Sequence, residues 1–351
     1  MRGVWWVYLA VAILLAAAPA KADEQKEREA IIADVRRMMD AEDYPGLEAL
    51  ATHYLRTEER TESGVWKLAQ FYAGISQQFD TRTRDQDTWD TRAARCYLWN
   101  QRYPRSSTAQ LACAQLVVNF AWSLRGTSGY AIEVEQDSWP KFKAQSRFAA
   151  QYLLKMDKRS RKDPHWYVLA LNVARYEGVD VQSFMNLYDE GIRRHPRFYG
   201  IHFSAVEYFV PKWGGNADAI DALVQRAQKR LPRKERDALY ARMYWLAAQS
   251  QFRTSLFAWS KADWPTMRSG FQDILEHYPS EWNLQSFAYF ACEAGDMETA
   301  RTLMSKMTQV PDREAWLGKD SYARCQSKAA AAIPPGTQSS TGNGPDYTTH
   351  S

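Results

Sequence analysis

Histidine is scarce in this chain: six residues out of 351, at positions 53, 165, 195, 202, 277 and 350. No two stand four apart on a helix with an acidic neighbour, which excludes the helical zinc site of a metalloprotease. The four cysteines, Cys96, Cys113, Cys292 and Cys325, include no C-x-x-C pair, which removes zinc knuckles and dithiol redox motifs. No G-x-S-x-G elbow is present, and no cysteine has an activating histidine close in sequence. Alternating β-branched runs with hairpin turns are missing as well, so nothing favours a β fold. No metal and no cofactor is expected.

Long apolar runs are confined to the N-terminus. MRGVWWVYLAVAILLAAAPAKA has one early Arg, an apolar stretch from Val4 to Ala18, and small residues at Ala20 and Ala22. That is the layout of a secretory signal with an A-x-A cleavage site. The stretch is short of the about 20 residues that a membrane span needs. Residues 1–22 are therefore expected to be a signal peptide, with no cysteine behind them to carry a lipid anchor. No stable membrane insertion is expected, and the chain is expected to be exported.

One sign of charge does not dominate. Loss of Arg2 and Lys21 with the signal leaves 43 of the 45 basic residues against 41 acidic ones. That balance is too neutral for a nucleic-acid binder, whose contact face is strongly basic. The run Lys155, Lys158, Arg159, Arg161, Lys162 is a local exception and reads as a solvated helix end. An even number of cysteines in an oxidising compartment favours disulfides over metal ligation.

What the chain does have is helical periodicity from about residue 24 to 330. Ile31, Ile32, Val35, Met38 and Met39 mark one face of a first helix. Pro164, Pro196 and Pro232 stand 32 and 36 residues apart, and Pro279 and Pro311 stand 32 apart. The Pro164 unit, PHWYVLALNVARYEGVDVQSFMNLYDEGIRRH, and the Pro279 unit, PSEWNLQSFAYFACEAGDMETARTLMSKMTQV, share one plan. Each has a helix with an aromatic at its head, a glycine turn and a second helix. Helix–turn–helix units near 34 residues with proline stops resemble tetratricopeptide repeats. The expected fold is all-α, a tetratricopeptide-like solenoid of helical hairpins. It would occupy residues 23–332, in units of about 104–164, 164–196, 196–232, 232–279 and 279–311. A closing helix would follow at 312–332, and a Pro-, Gly-, Ser- and Thr-rich tail, 333–351, is expected to be disordered.

The stretches YLRTEERTESGVWKLAQFYAG, FAWSLRGTSGY, YFVPKWGG and FAYFACEAGD resemble a family of exported bacterial proteins built around a domain of unknown function. The resemblance spans most of residues 40 to 326. It implies an architecture, a bacterial source and a cell-envelope address, expected to be periplasmic, not a reaction.

The spacing also supports particular pairings. In PKWGGN, Pro211 stops one helix, Gly214 and Gly215 supply permissive backbone angles, and Asn216 caps the next helix. Eleven residues beyond their prolines, Arg175 and Glu207 fall at equivalent positions on successive first helices, so these opposite charges should face each other. Cys292 and Cys325 should bond, closing a loop worth roughly 3–4 kcal/mol in the chain-entropy account. Cys96 and Cys113 flank the YPRSS turn and are expected to bond too.

Two functions compete. Glu62-Ser63 in RTESGVW resembles the catalytic Glu-Ser of lytic transglycosylases, which cleave peptidoglycan. That family's catalytic domain follows its solenoid, whereas this pair lies near the mature N-terminus without the motifs that shape a sugar groove. Ser63 as the cap of the helix containing Trp66 is the simpler reading. The chain is rich in aromatics, with 14 Trp, 19 Tyr and 14 Phe. Most belong to a core. Trp122, Arg125, Tyr130 and Trp213 fall at or beside inter-helix connections and are expected to be solvent-accessible, where Trp, Tyr and Arg carry binding energy. The favoured expectation is a non-enzymatic scaffold for a protein or peptide of the cell envelope.

Overall fold

The computed structural model describes residues 23–79, 85–126, 131–156 and 158–331. The expected signal, the C-terminal tail and Tyr130 lie outside the described residues. The fold is all-α: among the described residues the only bridge is an isolated one between Arg60 and Trp66.

The first helices are α1 (Glu24–Asp40), α2 (Tyr44–Thr57), α3 (Lys67–Gln77) and α4 (Gln86–Arg102). Next come α5 (Ser107–Arg125), α6 (Ser138–Lys155), α7 (His165–Glu177), α8 (Val181–Arg194), α9 (Tyr199–Phe209) and α10 (Ala217–Gln228). The C-terminal part holds α11 (Arg233–Ala247), α12 (Leu256–Trp259), α13 (Trp264–His277), α14 (Glu281–Glu293), α15 (Met297–Met304) and α16 (Ser321–Ala331). Many starts are set by short polar side chains that accept an otherwise orphaned backbone N–H. Asp43, Ser106, Asp180, Ser280 and Asp296 all do this. Each such cap is worth about 1 kcal/mol.

Contacts run from each helix to its near neighbours in sequence. α5 packs on α6 and α7, α7 on α8 and α9, α9 on α10 and α11, and α11 on α13. α13 then packs on α14, and α14 on α15 and α16. Amphipathic α8 turns Phe184, Tyr188 and Ile192 inward, whereas α14 is buried almost all round, from Trp282 to Cys292.

The PKWGGN connection is a bend. Pro211–Trp213 form one 3₁₀ turn, Gly214 takes φ +88°, and the Asn216 carboxamide oxygen accepts the Ala219 N–H at 2.9 Å. A β-carbon on Gly215 would stand 1.9 Å from the Phe209 carbonyl oxygen, so only glycine fits there. Lys212 fastens the bend outward, donating from Nζ to the Ser250 carbonyl at 3.1 Å. Ser250 belongs to a π-turn, Ala248–Phe252, that accounts for part of the extra length between Pro232 and Pro279.

Arg175 and Glu207 meet at 3.3 Å, as their register required. Cys292 and Cys325 stand within disulfide distance, with Cα atoms 5.8 Å apart. The expected second bridge is not formed. Cys96 and Cys113 are free, buried thiols. The two thiols stand close enough to hydrogen-bond each other without being bonded, and Asn100 Nδ2 donates to the Cys113 sulfur at 2.9 Å.

The N-terminal elements depart from a neighbour-to-neighbour plan: Arg28 on α1 stacks 5.0 Å from the Trp282 ring on α14. The turn joining α2 to α3 reaches across the molecule. The Ser63 carbonyl accepts from Arg242 Nη2 at 2.6 Å and from Asn283 Nδ2 at 3.3 Å. Trp66 meets Phe198 edge-on at 5.4 Å. Gly64, at φ +88°, lets Tyr278 close over the turn, since a β-carbon would come within 2.7 Å of that ring. Ser63 is therefore not a helix cap. The α3 N-cap is Trp66, which makes no side-chain capping bond. The hydroxyl of Ser63 donates instead to Glu24, which holds this turn from the first turn of α1.

Candidate binding surface

Three of the four sequence-nominated residues come together. Trp122 and Arg125 occupy the last turn of α5, Arg175 and Tyr176 the last turn of α7, and Trp213 the 3₁₀ turn after α9. Successive helices thus bring equivalent ends side by side, and large side chains bridge the gaps. The Trp122 ring lies 5.3 Å from Tyr176 and 6.5 Å from Trp213, both edge-on. The Arg175 guanidinium stacks 4.8 Å from the centre of Trp213. Arg125 lies 4.8 Å from Trp122 and 5.5 Å from Trp139 at the start of α6. The result is a ladder of aromatic rings flanked by guanidiniums, Arg125 between Trp139 and Trp122 and Arg175 on Trp213, each partly desolvated cation–ring contact worth about 1–2 kcal/mol.

The ladder is not uniformly open. Trp122, Trp139 and Trp213 are half-buried, but Arg125 is only 4% exposed. Arg125 was expected to be accessible; it lies beneath the indoles and holds them apart. Arg175 is pinned by Glu207, which Lys212 also approaches at 3.3 Å. The accessible part is consequently aromatic, with its positive charges held behind it. Trp139 and Arg175 were missed as ladder members. Arg125 and Arg175 both lie in the last turn of a helix within three residues of an aromatic, Trp122 and Tyr176, and that repetition is the signal the sequence offers.

A second cluster carries titratable groups but faces inward. Tyr72 donates to the Asp163 carboxylate and stacks on His165, ring centres 3.8 Å apart. His165 Nε2 meets Gln115 at 3.0 Å, and Gln115 donates to Asn119 at 2.6 Å. Burial pushes Asp163 up to about 6, although the Tyr72 hydroxyl and the His165 N–H stabilise its anion. Burial also drives His165 down to about 3. All three groups are buried, so this satisfied network serves as a polar core joining α3, α5 and α7.

Glu62 sits half-buried at the long-range turn, its backbone N–H donating to Glu27 at 2.9 Å. Among the described residues, no group of three or more His, Cys, Asp or Glu side chains could hold a metal ion. No described helix is long and apolar enough to cross a membrane. No family model, curated protein or solved structure matches this chain.

Proposed function

We propose that this chain is an exported, periplasmic scaffold whose helical hairpins stack as a tetratricopeptide-like superhelix. It captures a protein or peptide segment of the cell envelope on its indole–guanidinium ladder. The observation carrying this reading is the edge-on meeting of Trp122 and Trp213 from separate helix ends, with neither ring fully buried. Half-exposed tryptophans held rigid by stacked arginines present large contact area with little side-chain freedom left to lose. Export is supported by the N-terminal apolar stretch and by the Cys292–Cys325 pair, which suits an oxidising compartment.

The test is capture from envelope extract by the purified protein, compared with Trp213→Ala. The variant should lose the captured species while keeping its helical circular dichroism signal. Equal capture by both proteins would remove the ladder from the function. A zymogram in which the protein cleaves peptidoglycan, and Glu62→Gln does not, would replace recognition by catalysis.

A further inference from the structure

Two arginines share one ring at a cavity away from the ladder. Arg242, on α11, has its guanidinium carbon 4.8 Å from the centre of Tyr199, and Arg60 has its own 5.5 Å from the same ring. Both line a cavity of about 320 Å³ with Tyr199, Leu231, Ala238, Ile274 and Tyr278. Arg242 is 4% exposed, and its Nε has no hydrogen-bond partner. Its Nη2 donates to the Ser63 carbonyl, and Arg60 Nη1 donates to the Gly64 carbonyl at 2.8 Å. Neither guanidinium pairs with a carboxylate among the described residues.

This is costly as it stands. A buried charge without a counterion is unfavourable, and a second like charge beside it adds repulsion. Burial pushes the Arg242 pKa down and the nearby Arg60 adds to it, while Tyr199, Tyr278 and Glu24 pull the other way without cancelling the burial. The other charged groups lining the cavity do not supply the missing anion. Glu235 is committed to a two-pronged pair with Arg197 at 2.7 and 2.8 Å. Asp273 lines the cavity but forms no ion pair among the described residues, and Lys234 and His277 add no negative charge.

We propose that this cavity binds the carboxylate of a small organic acid, with Arg242 and Arg60 holding its oxygens. Leu231, Ala238, Ile274 and the two tyrosines cover its apolar body. A planar guanidinium fork matches a carboxylate, and each arginine spends one donor on a backbone carbonyl of the turn, which leaves the others for a ligand. The apolar wall of Leu231, Ala238 and Ile274 has no partner in phosphate, so a carboxylate with a hydrocarbon body fits better. The site is independent of the ladder and of whatever the ladder captures.

Titration calorimetry on the mature protein tests it with hexanoate, N-acetylphenylalanine, the amide of the latter, and inorganic phosphate. At least one of the two acids should bind with Kd below about 1 mM. The amide should bind at least about tenfold more weakly than its acid, as expected for loss of a charged hydrogen-bond acceptor. Arg60→Gln should produce a similar loss. Ala238→Leu narrows the cavity without touching either arginine and should weaken binding by about tenfold or more while the unfolding midpoint stays put. It decides the question even where an arginine variant does not fold. No binding by either acid overturns the proposal. So does equal binding of acid and amide, tighter binding of phosphate, or an Ala238→Leu variant that binds as the wild type does.

Discussion

Glu24→Ala should be among the most damaging substitutions of an acidic residue outside the ladder. Glu24 is 3% exposed at the first turn of α1. Its carboxylate accepts from the Ser63 N–H at 2.6 Å, the Ser63 hydroxyl at 2.7 Å and the Thr61 hydroxyl at 2.9 Å. It also pairs with Arg28, whose guanidinium stacks 5.0 Å from the Trp282 ring. Alanine strands these donors and leaves Arg28 without its carboxylate. Each buried orphan costs about 1–3 kcal/mol, and breaking a buried ion pair costs about 3–5 kcal/mol. The contributions overlap because the turn can relax, so the expected loss is about 3–5 kcal/mol. Urea unfolding followed by circular dichroism measures it, with Glu29→Ala as an exposed control on the same helix, expected to change stability by about 0.5 kcal/mol or less. A Glu24→Ala cost no larger than the control's would refute the claim that Glu24 anchors the long-range turn.

Three further outcomes follow from the same geometry. Gly64→Ala should cost about 2–4 kcal/mol, because a β-carbon is strained at positive φ and collides with Tyr278; a cost under about 1 kcal/mol would mean the turn does not dock as described. His202 bridges the Tyr188 hydroxyl at 2.8 Å and the Pro196 carbonyl at 2.9 Å, and burial lowers its pKa to about 4. Above its ordinary value near 6.5 it is neutral folded or unfolded. As pH falls below that value, only the unfolded chain gains the proton, and stability is lost until about pH 4. His165, lowered to about 3, acts in the same direction, while Asp163, raised to about 6, opposes them. Going from about pH 7 to about pH 5 should cost about 2 kcal/mol through His202 alone, and His202→Gln should flatten the urea-midpoint profile by that much. Thiol counting by mass spectrometry on unreduced protein should find Cys96 and Cys113 free and Cys292 and Cys325 blocked; four free thiols would remove the bridge.

Local features were legible because local rules fix them. Asn216 precedes an amphipathic run and caps it, and the proline spacing was enough to bring Arg175 onto Glu207. The ladder is half legible: their places beside connections point to Trp122 and Trp213, but the same reasoning puts Arg125 at the surface. Its burial follows from Trp122 and Trp139 closing over it from two helices, which periodicity within one helix does not reveal. The turn from Arg60 to Trp66 was illegible for a stronger reason. Its partners, Arg242 and Asn283, lie some 180 and 220 residues away in sequence, and a turn has no hydrophobic period to announce its docking. Ser63 looked like a cap because its chemistry suits one, but tertiary contact with Glu24 claimed the hydroxyl. Cys96 and Cys113 looked symmetric about a turn, and symmetry about a turn does not make two thiols bond.

The most direct test of the recognition account is a quantitative comparison of envelope-protein capture by wild type, Trp213→Ala and Trp259→Ala. Trp259 on α12 is 72% exposed, more open than any ladder tryptophan, and is not among the ladder's contacts. The account predicts that Trp213→Ala loses the captured species with its helical signal intact, while Trp259→Ala captures as the wild type does. Capture unaffected by Trp213→Ala, or lost through Trp259→Ala alone, would contradict it.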